Sequence, residues 1–278
     1  MTLQMGWFST GRGEGSRGLL RLAQESILAG ELDARIQFVF CNREPGEHEG
    51  SDRYFELVRG YGLPLVTVSS RQFRRAVGGD FASHREEYDR RVMERIARFS
   101  PDVIVLAGYM LIVSGVLCRR YVMLNLHPAL PGGPAGTWQE VIWQLIEQRA
   151  SEQGAMVHLV TEAVDQGPPI TCFSFPLRGE PFDGLWRAVE GVPVAELKRT
   201  QGEECPLFQA IRREGVRRET HLLLETLKAL ANRRVRVEGG RVLDERGREV
   251  RGRCLNDEIE AKLRGGRQTG GEGSAGGW

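Results

Sequence analysis

The sequence predicts an α/β fold: a mostly parallel sheet with helices on both faces and antiparallel strands at one side. Three observations lead to this prediction. Short runs of β-branched and aromatic residues alternate with amphipathic helical stretches through the first half of the chain. One such run, VIVLA at 103–107, is hydrophobic throughout, as a strand covered on both faces needs to be. In the second half, 154–161 and 170–177 alternate apolar and polar residues, which is typical of antiparallel strands.

The first half of the chain supplies the parallel core. Strand-length apolar runs bounded by Gly, Pro, Asn or Asp occur at 35–41, 64–69 and 102–107. Helical stripes lie between them at 15–30, 51–62 and 83–99. The predicted boundaries of these helices are the N-caps Ser51 and Ser83 and the terminating glycines Gly30 and Gly62. This rhythm of strands and helices indicates right-handed βαβ units.

The second half is less regular. An amphipathic helix is predicted at 216–231, and 234–243 is typical of a hairpin with a Gly-Gly turn. Segment 178–213 is assigned only as loop and short helix. We therefore expect a single domain over 1–245 and a C-terminal extension over 246–278. The extension is predicted to be disordered beyond about residue 265, where it is rich in glycine.

Composition excludes several classes of protein. With 278 residues, 41% of them hydrophobic and a net charge of +1, the chain has the makeup of a cytoplasmic globular protein with no bias toward nucleic acid or membranes. Its five cysteines are scattered without a CxxC pair, and its five histidines form no ligand pattern, so no metal is expected. The first residues lack the basic and apolar regions of a signal peptide.

A polar pair stands at a predicted strand end in MLNLHPALPGG, 123–133. Asn125 and His127 are two residues apart, so on a strand they share one face. Pro128 and the run 131–134 break the strand immediately afterwards and force a loop. Ligands of open α/β sheets bind beyond the carboxyl ends of the strands, which is where these two side chains are expected.

Asp165 is the third candidate. It lies in VHLVTEAVDQGPPI, 157–170, where one extended segment ends and a Gly-Pro-Pro sequence begins the next. In isolation, an aspartate before such a sequence is equally typical of an ordinary turn.

These two motifs resemble the formyltransferase family that uses 10-formyltetrahydrofolate. The similarity runs from about residue 6 to 177 and resumes at 214–237, and it is greatest to the branch that formylates glycinamide ribonucleotide. The resemblance implies a Rossmann-like sheet and a catalytic set of Asn125, His127 and Asp165. It also implies direct formyl transfer to a primary amine, with 10-formyltetrahydrofolate as co-substrate, no metal, and a monomer or homodimer as the assembly.

The chemistry of such a transfer suits these residue types. The reaction passes through a tetrahedral carbon that carries an oxyanion, and an amide donor with an imidazole can stabilise that charge. An adjacent carboxylate raises the pKa of a histidine and fixes its orientation. No nucleophilic residue is required for a direct transfer.

The resemblance also implies residues for the two substrates. The folate is expected to contact Arg85, Met110, Leu111, Ile112, Val113, Val160, Thr161, Glu162 and Ala163. The phosphorylated acceptor is expected to contact Gly13, Gly15, Ser16, Arg17 and Glu219, with the first loop presenting backbone amides at a helix N-terminus. Four departures from the family stand out. Leu111 replaces a usual arginine, and Arg17 replaces an asparagine in a longer first loop. The segment GTWQEVIW, 136–143, stands where the family has a histidine-rich loop, and 178–213 is largely an insertion relative to its short members.

These departures leave alternatives open. The acceptor could be a different amine, such as that of a sugar nucleotide, or the chain could be a non-catalytic folate- or nucleotide-binding relative. The tRNA-formylating branch is disfavoured because only a small tail follows residue 245. The hydrolase branch is disfavoured because the chain begins directly with its first predicted strand.

Overall fold

The structure, a computed structural model, describes residues 1–269. Its strands are β1 (Leu3–Ser9), β2 (Ala34–Cys41), β3 (Leu65–Thr67), β4 (Val103–Leu106), β5 (Met123–His127), β6 (Glu152–Leu159), β7 (Pro169–Pro176), β8 (Val235–Glu238), β9 (Arg241–Asp244) and β10 (Arg253–Cys254). Its helices are α1 (Glu14–Leu28), α2 (Glu49–Gly60), α3 (Ser70–Val77), α4 (Arg85–Ile96), α5 (Gly115–Arg120), α6 (Trp138–Glu147), α7 (Phe182–Ala188), α8 (Val194–Thr200), α9 (Pro206–Ala231) and α10 (Asn256–Thr269).

The main sheet has eight strands in the order β10-β7-β6-β5-β4-β1-β2-β3. Strands β1 to β5 are mutually parallel, whereas β6 runs antiparallel to both β5 and β7. The chain leaves β1 toward β3 on one side and returns to β4 and β5 on the other. Such a reversal opens a crevice at the carboxyl ends of the central strands.

Helices cover both faces of this sheet, which confirms the predicted fold class. Successive residues of β1 point to opposite faces, so Trp7 and Phe8 belong to different hydrophobic cores. The core around Trp7 is closed by α1, α2, α6 and α9, and the core around Phe8 is closed by α3, α4 and α5. Burial on both faces explains why the central strands are continuously apolar.

Two predicted helix starts are wrong, whereas the predicted stops are confirmed. Helix α2 begins before Ser51, and the ring of His48 accepts the capping hydrogen bond from the Gly50 amide. Ser83 lies within a 3₁₀ turn, Phe81–His84, which precedes α4. Gly30 and Gly62 follow α1 and α2 with φ of +73° and +66°, a conformation that glycine adopts without strain.

The segment left unassigned in the sequence is mostly helical. Residues 178–213 contain α7, α8 and the first turns of α9, which begins at Pro206 rather than at the predicted 216. Helix α6 was also not predicted from the sequence. It starts with a capping box in which the Thr137 hydroxyl and the Glu140 carboxylate bond each other's backbone amides.

The C-terminal extension returns to the main sheet. After the predicted hairpin β8–β9, which turns at Gly239 and Gly240, strand β10 pairs in parallel with β7. Helix α10 then packs against α9 and continues to Thr269, into the segment predicted to be disordered. The remainder of that segment, 270–278, lies outside the described residues. Over residues 1–269, no helix combines the length and the apolar character needed to cross a membrane.

Candidate active site

The predicted pair lies at the carboxyl end of β5. Asn125 and His127 share the face of Met123, whose side chain belongs to the core around Phe8. Directly across the antiparallel ladder, Asn125 faces His158 and His127 faces Met156. The chain then breaks at Pro128, as predicted, and the loop 128–137 passes over the end of the strand.

The loop that carries Asp165 has little freedom. A Cβ at Gly167 would lie 1.8 Å from the Leu159 carbonyl oxygen, so only glycine allows this close approach. Asp165 itself has a φ of +57°, which is uncommon for a residue other than glycine. The close packing at Gly167 and the left-handed turn at Asp165 together direct the carboxylate back toward β5.

Asp165 contacts three side chains. Its Oδ1 lies 3.4 Å from Asn125 Nδ2 and 3.7 Å from His158 Nε2, and its Oδ2 lies 3.5 Å from His127 Nδ1. Asn125 Nδ2 also lies 3.4 Å from His158 Nε2. The structure therefore brings Asn125, His127 and Asp165 together, as the sequence predicted, and adds His158.

The backbone around the cluster fixes the protons on both imidazoles. His158 Nδ1 lies 2.8 Å from the Leu159 carbonyl and His127 Nε2 lies 2.8 Å from the Pro134 carbonyl. A carbonyl oxygen only accepts, so each of these ring nitrogens donates a proton. The other nitrogen of His127 faces the Asp165 carboxylate. Both nitrogens of His127 therefore face oxygen acceptors.

Asp165 is held in its charged form. Burial alone disfavours a carboxylate, but the hydrogen bond from His158, the charge of His127 and the backbone amide of Gly136 outweigh burial and lower the pKa of Asp165. Its side chain is only 12% exposed, so solvent screens these interactions weakly. The cluster thus combines a negative charge on Asp165 with an amide donor and an imidazole donor.

His158 was missed in the sequence. In the segment GAMVHLVT it occupies an ordinary position of an alternating strand, and nothing local distinguishes it. The only signal is the antiparallel pairing with β5, which sets it opposite Asn125. That pairing depends on register, which the sequence motif does not specify.

The proposed folate wall is only partly exposed. After β4, Met110 and Ile112 present 68% and 46% of their surface to solvent, which suits contact with an apolar ring. Leu111 is half-buried against the core around Phe8, and Val113 is fully buried there. Val113 can therefore offer a ligand only its backbone, and the predicted folate contact of these four residues stays a prediction.

Glu162 has an internal partner, and Arg85 lies near the buried Asp89. Glu162 forms an ion pair with Arg119, whereas Val160 packs on the core and Thr161 donates to the Ala163 carbonyl at 3.1 Å. Arg85 begins α4, one turn before the buried Asp89. Burial raises the pKa of the Asp89 carboxyl, and the positive charge of Arg85 opposes this effect only in part.

The Asp89 carboxylate fixes the loop after β4. It accepts a 2.7 Å hydrogen bond from the Ser114 amide, directly after the exposed segment 110–112. At the opposite end of the loop, the Met110 amide donates to Thr10 Oγ1 at 2.9 Å. The loop is thus tied down at both ends while the side chains of Met110 and Ile112 stay exposed.

The first loop places its predicted residues at the start of α1. Gly13 is the N-cap, Gly15 lies in the first turn, and Ser16 packs beneath Gly108. Arg17, however, is already used: it forms a 2.6 Å ion pair with Glu14 and donates to the Gly50 carbonyl at 3.2 Å. Arg17 is therefore engaged within the protein, and its predicted contact with the acceptor stays a prediction.

Glu219 is also paired. It lies in α9 with its carboxylate 3.3 Å from Arg212, whose guanidinium stacks over the Trp138 ring at 4.3 Å from the centroid. Burial raises the pKa of Glu219, and the charge of Arg212 only partly opposes that effect. Within residues 1–269, no hydrogen bond or ion pair joins Arg212 and Glu219 to the Asp165 cluster, so these are two separate polar groups.

The fold and the Asp165 cluster define an α/β protein with a preorganised polar site at the carboxyl edge of its sheet. The model of the Formyl transferase family matches residues 20–177. The chain therefore belongs to the formyl transferase family.

Named relatives agree with this membership. The chain is 27% identical over 209 residues to phosphoribosylglycinamide formyltransferase of Schizosaccharomyces pombe, covering 73% of this chain and 92% of that one. It is 38% identical over 109 residues to the Escherichia coli protein of the same name, covering 38% and 50%. A formyltetrahydrofolate deformylase of Haemophilus influenzae is 29% identical over 143 residues, covering 51% and 44%.

Solved structures share the fold. Glycinamide ribonucleotide transformylase 1 of Symbiobacterium toebii superposes with a TM-score of 0.60 at 24% identity, covering 87% of this chain and 93% of that one. Among residues 1–269, no group of three or more His, Cys, Asp or Glu side chains is arranged to hold a metal ion.

Proposed function

We propose that this chain transfers a formyl group from 10-formyltetrahydrofolate to the primary amine of glycinamide ribonucleotide. The observation that carries the proposal is the convergence of Asn125, His127 and Asp165 at the end of β5. The names of the Schizosaccharomyces pombe and Escherichia coli relatives support the choice of acceptor.

In this proposal the attacking amine adds to the formyl carbon, and its carbonyl oxygen becomes an oxyanion. The Asn125 amide and the His127 imidazolium are the donors that would stabilise this charge. Asp165 orients both side chains, and His127 Nε2 has to release the Pro134 carbonyl before it can donate to the oxyanion. The intermediate then collapses with loss of the folate N10.

The proton balance assigns a second role to Asp165. The amine loses one proton as it becomes the formamide, and N10 gains one as it leaves. Because the pKa of Asp165 is lowered, the carboxylate is ionised at neutral pH and can order a water that relays this proton. His158, through its contacts with Asn125 and Asp165, positions both groups.

The folate is proposed to lie against the loop after β4. Exposed Met110 and Ile112 offer apolar contact, and Val164, which is 44% exposed, does so from the Asp165 loop. Both loops border the cluster, so a ring bound between them would present its formyl group to Asn125 and His127.

A second candidate is hydrolysis of 10-formyltetrahydrofolate, with water as the acceptor. It is favoured by one observation: Arg17 and Glu219, the residues expected to bind a phosphorylated amine, are both held in internal ion pairs. The Haemophilus influenzae deformylase is a relative of this kind. A different amine acceptor remains the third candidate for the same reason.

One assay separates these candidates. Purified protein is incubated with 10-formyltetrahydrofolate alone, with glycinamide ribonucleotide, and with a panel of other primary amines including amino-sugar nucleotides. Folate absorbance reports deformylation, and mass spectrometry identifies the formylated product. Turnover that requires glycinamide ribonucleotide supports the proposal. Equal turnover without any amine supports hydrolysis, and a product on another amine contradicts the assigned acceptor while preserving formyl transfer.

A paired variant tests the chemistry. His127→Ala should lower kcat far more than it weakens folate binding, because the donor acts chiefly in the transition state. His221→Ala, in α9 and outside the Asp165 cluster, is the matched control. If His127→Ala retained the activity of the control, the catalytic assignment would be wrong.

A further inference from the structure

Two of the five cysteines lie side by side on adjacent strands. Cys254 of β10 is the register partner of Cys172 of β7 in the parallel ladder between these strands. The Leu255 amide donates to the Cys172 carbonyl at 2.9 Å and secures this register. The pairing brings together residues that are 82 positions apart in sequence.

The geometry of a sheet suits a bond between them. Neighbouring strands lie about 4.7–4.9 Å apart, and register partners project their side chains from the same face. Disulfides usually join Cα atoms that are about 4.4–6.8 Å apart, a range that includes this spacing. A bond between Cys172 and Cys254 therefore needs only side-chain rotation, without displacement of either strand.

The two thiols also differ in their exposure to solvent. Cys254 is exposed, whereas Cys172 is half-buried. Burial, together with the neighbouring Cys254, raises the pKa of Cys172, so Cys254 is the thiol that meets an oxidant first.

The other cysteines lack these properties. Cys41 is buried between Ser9 and Thr67 on the neighbouring strands, and burial raises its pKa to about 12. Cys205 is buried in the core, and Cys118 lies in α5.

We infer that Cys172 and Cys254 form a reversible, redox-sensitive disulfide that fastens the C-terminal segment to the edge of the sheet. The oxidant is a small-molecule disulfide such as glutathione disulfide. The Cys254 thiolate attacks one sulfur of the oxidant, whose S–S bond breaks and releases one thiol. The Cys172 thiolate then attacks the Cys254 sulfur of the mixed disulfide and releases the second thiol. Two electrons and two protons pass from the protein to the oxidant.

The location links the pair to the candidate active site. Register partners across the sheet form one row of residues: His127, Met156, Cys172 and Cys254. The cysteine pair thus lies on the same face as His127, with one strand between them. The bond would close a covalent loop that includes β7, α9 and β10. It would keep β10 attached to β7 at the edge of the sheet.

The test uses the full-length protein and a thiol count. Reduced protein is equilibrated with glutathione disulfide, quenched by alkylation, denatured and titrated for free thiols. We expect the count to fall from five per chain to three, and peptide mass spectrometry to find residues 172 and 254 linked. Excess dithiothreitol should restore all five. Cys172→Ser and Cys254→Ser should each prevent the intramolecular link, whereas Cys118→Ser, the control, should still form it.

Several results would overturn the inference. These are a count that stays at five, a link between other cysteines, a covalent dimer through Cys254 on a non-reducing gel, or glutathione retained on Cys254 without closure. Limited proteolysis provides a second readout of the same bond. After cleavage between residues 176 and 253, the C-terminal fragment should stay attached in the oxidised protein and separate on reduction.

Discussion

The Asp165→Asn variant tests the central electrostatic claim most directly. Asparagine matches the shape of aspartate and tolerates the left-handed φ of +57° at this position, so the loop should keep its conformation. What the variant removes is the negative charge that faces His127. An alanine at the same position would also strain the backbone, and its effect would be harder to interpret.

The geometry sets the size of the expected effect. Unit charges 3.5 Å apart, as in His127 and Asp165, attract by about 5 kcal/mol at an effective dielectric constant of about 20. Part of that attraction offsets the lost hydration of both groups, so we expect a loss of about 3 kcal/mol of transition-state stabilisation. That corresponds to roughly a hundredfold decrease in kcat.

The assay is steady-state deformylation of 10-formyltetrahydrofolate with the acceptor identified above, together with equilibrium folate binding. Binding should change little, because the folate wall does not include the carboxylate. A kcat within a few-fold of the parent value would refute the claim that the Asp165 charge supports the reaction. An equal loss of binding and kcat would instead indicate that the loop had collapsed.

Acid stability provides an independent check on the same residue. The pKa of Asp165 is lowered from its ordinary value of 3.8, so its ionised form stabilises the folded state above about pH 4, and this stability is lost as the pH falls through the folded pKa. The difference in Tm between parent and Asp165→Asn should therefore be constant from pH 8 to about pH 5 and shrink at lower pH. A difference that grew on acidification would contradict the direction of the shift.

Two further predictions concern packing and charge outside the cluster. Gly167→Ala should lower Tm and activity together, since the added Cβ would lie 1.8 Å from the Leu159 carbonyl oxygen. Gly13→Ala is the control: its Cβ would meet open space, so Tm should stay nearly unchanged in the same thermal scan. Arg212→Ala should destabilise the fold by about 2–4 kcal/mol in urea titration, because it leaves the buried Glu219 carboxylate without its cation. Adding Glu219→Gln should recover much of the lost free energy of unfolding. If the effects of the two substitutions simply added in the double variant, Arg212 and Glu219 would not be coupled.

The fold could be predicted in outline because its signals are local. The continuous hydrophobicity of 103–107 and the alternation of 154–161 each depend on burial within one strand, and both strands are present. Helix starts were harder, since several polar residues near Ser51 could act as cap and His48 does so. Helix α6 was missed because its capping box follows a loop dominated by Pro and Gly.

The candidate site was predictable to the extent that its residues lie in sequence motifs. Asn125 and His127 share a strand, and Asp165 lies in a distinctive turn. His158 could not be found because its role depends on strand register. The contacts of Arg17 were hidden for a related reason: a sequence shows an arginine at a helix start but not the Gly50 carbonyl that it bonds.

Strand β10 also has a consequence for solubility. At one end of the sheet, β3 has only three residues, and at the other end the two residues of β10 and the Asn256 side chain cover the outer edge of the eight-residue β7. Long uncovered edges recruit strands from other molecules, and short or covered edges prevent this. A chain truncated before Arg253 would expose the backbone of β7, and self-association into aggregates would be its expected behaviour. The C-terminal segment therefore protects the protein from other copies of itself.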